Sequence, residues 1–210
     1  MMAQATRRPG RRNEPSAWNL PNALTMVRIV AVPVFVVLLV RQDGQDAGLR
    51  LWALGVFIAA MITDRLDGQI ARSRGIVTDF GKLFDPIADK ALMGAAFISL
   101  SVLDLIPWWM TLLVLFRELG ITVLRFAIVR YGIMPANLGG KLKTTLQSVV
   151  VGIAVFPAEL LLGRWVVAIL WVLMLAVVAV TLWTGWDYVK QAVRMRASSR
   201  AAKHPHGRVR

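Results

Sequence analysis

The segment TDRLDGQIARSRGIVTDFGKLFDPIADK, residues 63–90, lies between two long apolar stretches and holds five aspartates. Four of them, Asp64, Asp67, Asp85 and Asp89, fall in a regular pattern. Ionisable side chains within or at the mouth of a membrane span are costly and usually functional. At the helical period of about 3.6 residues, Asp64, Asp67, Gly68 and Ala71 share one stripe, and Asp85 and Asp89 share one face. A short loop joins the two segments, so their acidic faces are expected to meet. Four carboxylates in one cleft repel and need neutralising. Protonation, pairing with Arg65, Arg72, Lys82 or Lys90, and a divalent cation are the three options.

The composition narrows these options. The chain has no cysteine, and its two histidines, His204 and His206, lie in the C-terminal tail. Thiolate and imidazole chemistry are therefore excluded from the core. An all-oxygen donor set suits a hard cation such as Mg²⁺ or Mn²⁺. Two such ions sharing carboxylates can grip a pyrophosphate. Gly68 and Ala71 leave room for a ligand against the helix, or equally for close helix packing. The plainer reading of the aspartates is a set of interfacial salt bridges. Asp79 fits that reading, or a helix start favoured by the macrodipole. Pro86 requires the third span to start close to it or to kink there.

The 210 residues are 57% hydrophobic, more than an ordinary soluble domain carries. A spanning helix needs roughly 20 apolar residues. Six candidates run from about Pro21 to Val40, Leu51 to Ala71, Leu83 to Leu103, Pro107 to Val129, Leu142 to Leu162 and Trp165 to Tyr188. Short Gly-, Pro- and Asn-bearing stretches separate them. The expected fold is all-α: a six-helix membrane domain over residues 18–189, with a short interfacial lead-in and Trp18 at headgroup level. Basic tails cover residues 1–17 and 190–210, their far ends expected to be disordered.

Charge fixes the expected orientation. Arg7, Arg8, Arg11, Arg12, Arg72, Arg74, Lys82, Arg130, Lys141, Lys143 and the C-terminal tail fall on one side, against Arg41, Arg50 and Arg164 on the other. The positive-inside rule puts both termini and the aspartate loop in the cytoplasm. The net charge of +13 flanks apolar spans instead of forming a basic domain, which favours anionic lipid over nucleic acid. A cleaved signal peptide is rejected for the first span. It is long, has no A-x-A-like site after it, and is interrupted by Asn22, Thr25 and Arg28.

The pattern Asp64-x2-Asp67-Gly68-x2-Ala71-Arg72-x8-Gly81-x3-Asp85-x3-Asp89 resembles the signature of the CDP-alcohol phosphotransferases, with every fixed position present. The resemblance implies an integral membrane enzyme, typically homodimeric, that moves a phosphoalcohol from a CDP-linked donor to an acceptor hydroxyl and releases CMP. It implies metal binding by Asp64, Asp67 and Asp85, with Asp89 as general base in contact with the second of two ions. It places Gly68, Ala71, Arg72 and Gly81 along the CDP site, with Asn22, Thr25 and Arg28 bordering the cleft from the first span.

A second polar cluster bears on the acceptor. Arg117, Glu118 and Arg125 fall inside the fourth span, and GGKLKTTLQ at the fifth supplies Lys141, Lys143, Thr144 and Gln147. Arginine suits phosphate, and a helix N-terminus favours an anion. Positive-inside loop charge accounts for Lys141 and Lys143 but not for Arg117 and Arg125. The cluster reads as a second anion site, with Glu118 holding an arginine in place. NLPNALTMVRIVAVPVF, FRELGITVLR and GGKLKTTLQ are similar to the branch of the family whose acceptor is glycerol 3-phosphate and whose donor is CDP-diacylglycerol. Inositol phosphate, or phosphatidylglycerol giving cardiolipin, competes as acceptor, whereas serine leaves the cluster without a purpose. An ion transporter would carry polar groups in both halves of the membrane. The fifth and sixth spans are almost wholly apolar, which argues against it.

Overall fold

A computed structural model describes residues 20–74, 79–128 and 138–203. Within these, the side chains of 20–22, 65, 67–74, 79–86, 89, 128, 138–139, 141 and 197–203 are outside the description. All regular structure among the described residues is helical. The helices are α1 (Leu20–Val40), a 3₁₀ turn (Arg41–Gly44), α2 (Ala47–Arg74), α3 (Asp79–Val102), α4 (Trp108–Ile128), α5 (Leu138–Val155), α6 (Ala158–Leu162) and α7 (Trp165–Lys203).

Local chemistry sets the boundaries. Asp46 caps α2, its Oδ1 accepting from the Leu49 amide at 2.9 Å. The turn before it is tight: Gln42, Asp43 and Gly44 all have positive φ, and a Cβ on Gly44 would meet Leu103 Cδ1 at 2.8 Å. At the end of α3, Asp104 takes φ 55°. The amides of Asp104 and Leu105 turn back to the carbonyls of Ser101 and Leu100, at 3.2 and 3.0 Å, the Schellman pattern with aspartate in the left-handed position. Pro107 follows and α4 begins at once.

The ends of α1, α3 and α5 and the starts of α2, α4 and α7 gather at one end of the bundle, around a cavity of about 470 Å³ lined in part by Asp43, Arg50, Asp104, Glu159 and Arg164. Consecutive long helices therefore alternate in direction. Packing falls into two groups, α1 with α2 and α3, and α7 with α4 and α5. Phe35, Phe57, Leu92, Val114, Val151 and Met174 form the shared core. The Phe35 and Phe57 rings lie 5.8 Å apart and tilted.

The outside is also apolar. Val30, Trp52, Phe116, Val123, Phe126, Val172 and Trp183 are among the large side chains that face outward. An apolar exterior on this scale belongs in lipid. Trp52, Trp108, Trp109 and Trp165 cluster at one end, where tryptophan sits at a bilayer interface. Trp186 lies along α7 from Trp165 by about 30 Å of helix, close to a hydrocarbon thickness. The chain is thus an all-helical integral membrane protein. Ala23–Gly44, Ala47–Asp64 and Trp165–Arg196 are long and apolar enough to cross, and Lys90–Val102 and Leu142–Val155 are shorter apolar helices.

Three expectations are corrected. The fifth span does not run unbroken to Leu162: Pro157 lacks an amide to continue the ladder, so α5 stops at Val155 and α6 restarts at Ala158. The third span does not begin near Leu83: α3 begins at Asp79 and carries Pro86 within it. The last helix does not end near Tyr188 but continues to Lys203, with Tyr188 and Ala192 buried.

The α5 break leaves carbonyls without helical donors. Arg50, 1% exposed, supplies them. It donates to the carbonyls of Ala154 at 2.7 Å and Val155 at 3.1 Å, adds a longer bond at 3.3 Å to that of Phe156, which the Ala158 amide already meets at 2.8 Å, and pairs with Glu159. Replacing Arg50 by methionine strands Glu159 and the carbonyls of Ala154 and Val155, and thermal unfolding in detergent is expected to show a loss of about 3–5 kcal/mol. Adding Glu159→Leu should recover part of it. Equal losses in the single and double variants would contradict the pairing.

Candidate functional site

The aspartate pattern occupies the end of the bundle opposite the Arg50 cavity. Asp64 and Asp67 lie in the second half of α2, Asp85 and Asp89 in the first half of α3, and the two helices touch. The carboxylate of Asp64 is partly open, 35% exposed. Its partner is Arg28 of α1, whose Nη1 lies 2.8 Å from Asp64 Oδ1. Arg28 and Thr25 are each 1% exposed, one helical turn apart. The side chains of Asp67, Gly68, Ala71, Arg72, Gly81, Asp85, Asp89, Lys141 and Asn22 lie outside the described residues. Lys90, one of four basic residues offered as partners for the carboxylates, donates to Thr122 Oγ1 of α4.

The donor set fits a hard divalent cation. The four positions offer only carboxylate oxygens, in a chain without cysteine and with no histidine outside its C-terminal tail. The one carboxylate whose surroundings are described keeps an open face beside its arginine.

Beside this end lies a network that joins α4, α5 and α7. Glu118 Oε1 accepts from Arg117 Nη1 at 3.2 Å and from the buried Lys143 Nζ. Arg117 crosses to α7, donating from Nε to the Thr181 carbonyl at 3.1 Å and from Nη2 to Thr184 Oγ1 at 2.9 Å. It passes over Gly185, where a Cβ would meet Arg117 Nε at 3.2 Å, tighter than ordinary contact. The buried Tyr188 ring receives both arginines, Arg117 at 5.9 Å and Arg125 at 5.8 Å from its centroid. Lys90, Glu118, Lys143, Thr144 and Gln147 form the polar part of a cavity of about 160 Å³ between α3, α4 and α5.

The anion cluster inferred from sequence is thus partly assembled. Arg117 and Lys143 meet through Glu118. Arg125 stands apart and exposed, reaching the cluster only through Tyr188. Lys143 is the sixth residue of α5, not at its first turn, and the Thr144 hydroxyl bonds back to the Gly140 carbonyl at 3.0 Å. Thr122, Thr181, Thr184 and Tyr188 were missed, and Lys90 was named only as a partner for the aspartates. A signal existed: Thr181, Thr184 and Tyr188 repeat at helical spacing along one face of a helix read as almost wholly apolar.

A sequence profile described as CDP-alcohol phosphatidyltransferase matches residues 18–183. A Mycobacterium tuberculosis protein named "Probable phosphatidylglycerophosphate synthase" is 49% identical over 176 residues, 84% of this chain and 82% of that protein. A Bacillus subtilis protein named "CDP-diacylglycerol--glycerol-3-phosphate 3-phosphatidyltransferase" is 36% identical over 184 residues, 81% of this chain and 93% of that one. A Streptomyces coelicolor protein named "Cardiolipin synthase (CMP-forming)" is 33% identical over 127 residues, 60% of this chain and 59% of that one.

Arg117 ties α4 to α7 by geometry as well as charge. Arg117→Lys keeps the charge but loses the planar fork. It is expected to lower stability by about 2 kcal/mol, read as the midpoint of thermal unfolding, and Thr184→Val by about 1 kcal/mol. An unchanged midpoint in Arg117→Lys would show that charge alone holds the tie.

Proposed function

We propose a function from one premise: the chain belongs to the CDP-alcohol phosphatidyltransferase family. It transfers the phosphatidyl group of CDP-diacylglycerol to the sn-1 hydroxyl of glycerol 3-phosphate, giving phosphatidylglycerol phosphate and CMP. The observation that carries the acceptor is the buried Lys143–Glu118–Arg117 network beside the aspartate end. A buried lysine there suits an acceptor that brings its own phosphate. The names of the Mycobacterium and Bacillus relatives support the same acceptor.

Asp64, Asp67, Asp85 and Asp89 would hold two Mg²⁺ ions, with Mn²⁺ as a substitute. When bound, these ions neutralise the pyrophosphate and the charge left on CMP. Gly68, Ala71, Arg72, Gly81, Asn22 and Thr25 line the CDP site. Lys143 and Arg125 hold the acceptor phosphate together with Lys141 and Thr144. Arg117 serves that site through its remaining N–H groups and through Glu118. Asp89 takes the proton of the sn-1 hydroxyl. The oxygen so freed bonds to the phosphatidyl phosphorus, the bond from that phosphorus to CMP breaks, and CMP leaves with the electron pair. Anchoring the acceptor by its phosphate turns the attack into a step between positioned groups.

The alternation of helix ends supports six crossings, made by α1 to α5 and α7. The basic residues at the aspartate end, with those of both termini, support a cytoplasmic site and cytoplasmic termini in the inner or plasma membrane. Assembly as a homodimer belongs to the same reading. Phosphatidylglycerol as acceptor is the second reading, favoured by the Streptomyces relative.

Purified protein with Mg²⁺ and CDP-diacylglycerol is expected to release CMP only when glycerol 3-phosphate is added. Asp89→Asn should lower the rate about 10³-fold. Lys143→Ala should raise KM for glycerol 3-phosphate about tenfold or more, with a smaller change in kcat. CMP release driven by phosphatidylglycerol or inositol phosphate alone would overturn the acceptor.

A further inference from the structure

Arg28 is among the largest fully buried side chains of the protein, in a helix that faces lipid on its other side. A guanidinium in such a place, without bulk water, requires an anion against it. Asp64 supplies one, with Nη1 and Oδ1 at 2.8 Å. The two ends of the pair differ sharply: the arginine is 1% exposed and the carboxylate 35%. Arg28 therefore grips Asp64 from the closed side of the bundle and leaves the rest of the carboxylate toward the open side.

The sequence of α1 gives this contact its rigidity. Thr25 lies one turn before Arg28 and is equally buried, and Phe35 and Leu39 carry the same helix into the core. Packing of α1 against both α2 and α3 holds it beside the aspartate helices. Arg28 comes from outside the aspartate motif, from a helix that contributes no carboxylate to it.

We propose that Arg28 is the resident counter-cation of Asp64: a positioning residue that keeps the acidic cleft assembled before a divalent cation arrives. The inference rests on the cation reading of Asp64 given above. In the cation-free protein the carboxylates of α2 and α3 repel, and the positive charge of Arg28 offsets part of that repulsion from within. Without Arg28, the cation would have to supply the neutralisation as well, and its binding would become coupled to the stability of the fold.

The test is thermal unfolding of the full chain in detergent, with and without saturating Mg²⁺. Wild type, Arg28→Gln and Arg28→Gln/Asp64→Asn are compared. In wild type Mg²⁺ should raise the midpoint. In Arg28→Gln the cation-free midpoint should fall, and the rise produced by Mg²⁺ should be at least twice that of wild type. The double variant should regain much of the cation-free midpoint, because the stranded carboxylate is gone. An equal Mg²⁺-induced rise in wild type and Arg28→Gln would overturn the proposal and reduce Arg28 to packing. No rise in wild type would overturn the cation reading of the site, and this proposal with it. Should Arg28→Gln fail to fold under either condition, the double variant decides: restored folding supports the pairing, and continued failure overturns it.

Discussion

Inside a bilayer no water is available to mend a broken helix, and this chain breaks one. Where Pro157 stops α5, the carbonyls of Ala154 and Val155 receive hydrogen bonds from Arg50, which reaches across from the start of α2. That one side chain satisfies backbone groups that lipid cannot, and Glu159 neutralises its charge. It also joins α2 to α5, two helices distant in sequence. The turns that connect α1 to α2, α3 to α4 and α6 to α7 gather around this junction. With that end held, the opposite ends of the same helices are fixed in relation to one another, and that is where the aspartates stand.

The two ends solve the same problem differently. At the Arg50 end, buried charge is met by backbone carbonyls and one carboxylate, groups of the protein itself. At the aspartate end, charge remains open. Asp64 is only partly covered, and Lys143 meets a carboxylate that Arg117 shares. Buried cations held by a shared carboxylate can exchange it for a phosphate at modest cost, because the countercharge is replaced in kind. A closed network suits a scaffold and an open one suits a ligand. The proposed function places phosphatidyl transfer at the open end.

Much of this was legible in the sequence. The boundaries of α1 and α4 agree with the hydropathy to within a residue, because both are apolar enough to outweigh the few polar side chains they carry. The aspartate spacing and the Arg117–Glu118 pair inside a span were visible because charge in an apolar run has no cheap explanation. The break at Pro157 was hidden by hydropathy that continues across it. The role of Arg50 was hidden too: a cation at a span's end reads as interfacial, and only the fold brings it to α5. Thr181, Thr184 and Tyr188 were overlooked because threonine is nearly neutral in a hydropathy average, although their spacing marks one face. The partner of Asp64 was sought among the nearest basic residues, whereas the structure supplies Arg28 from another helix.

The length of α7 has a mechanical consequence. Its 39 residues span about 58 Å, nearly twice a hydrocarbon core. Trp165 and Trp186 pin it near the two interfaces, and Thr181, Thr184 and Tyr188 lie in the portion just before and after the second pin. A helix so anchored answers a change in bilayer thickness by tilting. Tilt of α7 would move Thr184 and Tyr188 relative to α4, and with them the arginine that shares Glu118 with Lys143. Such a tilt would be felt at the contacts that link Thr184 to Arg117, and Arg117 through Glu118 to Lys143, in a protein proposed to build the lipids around it.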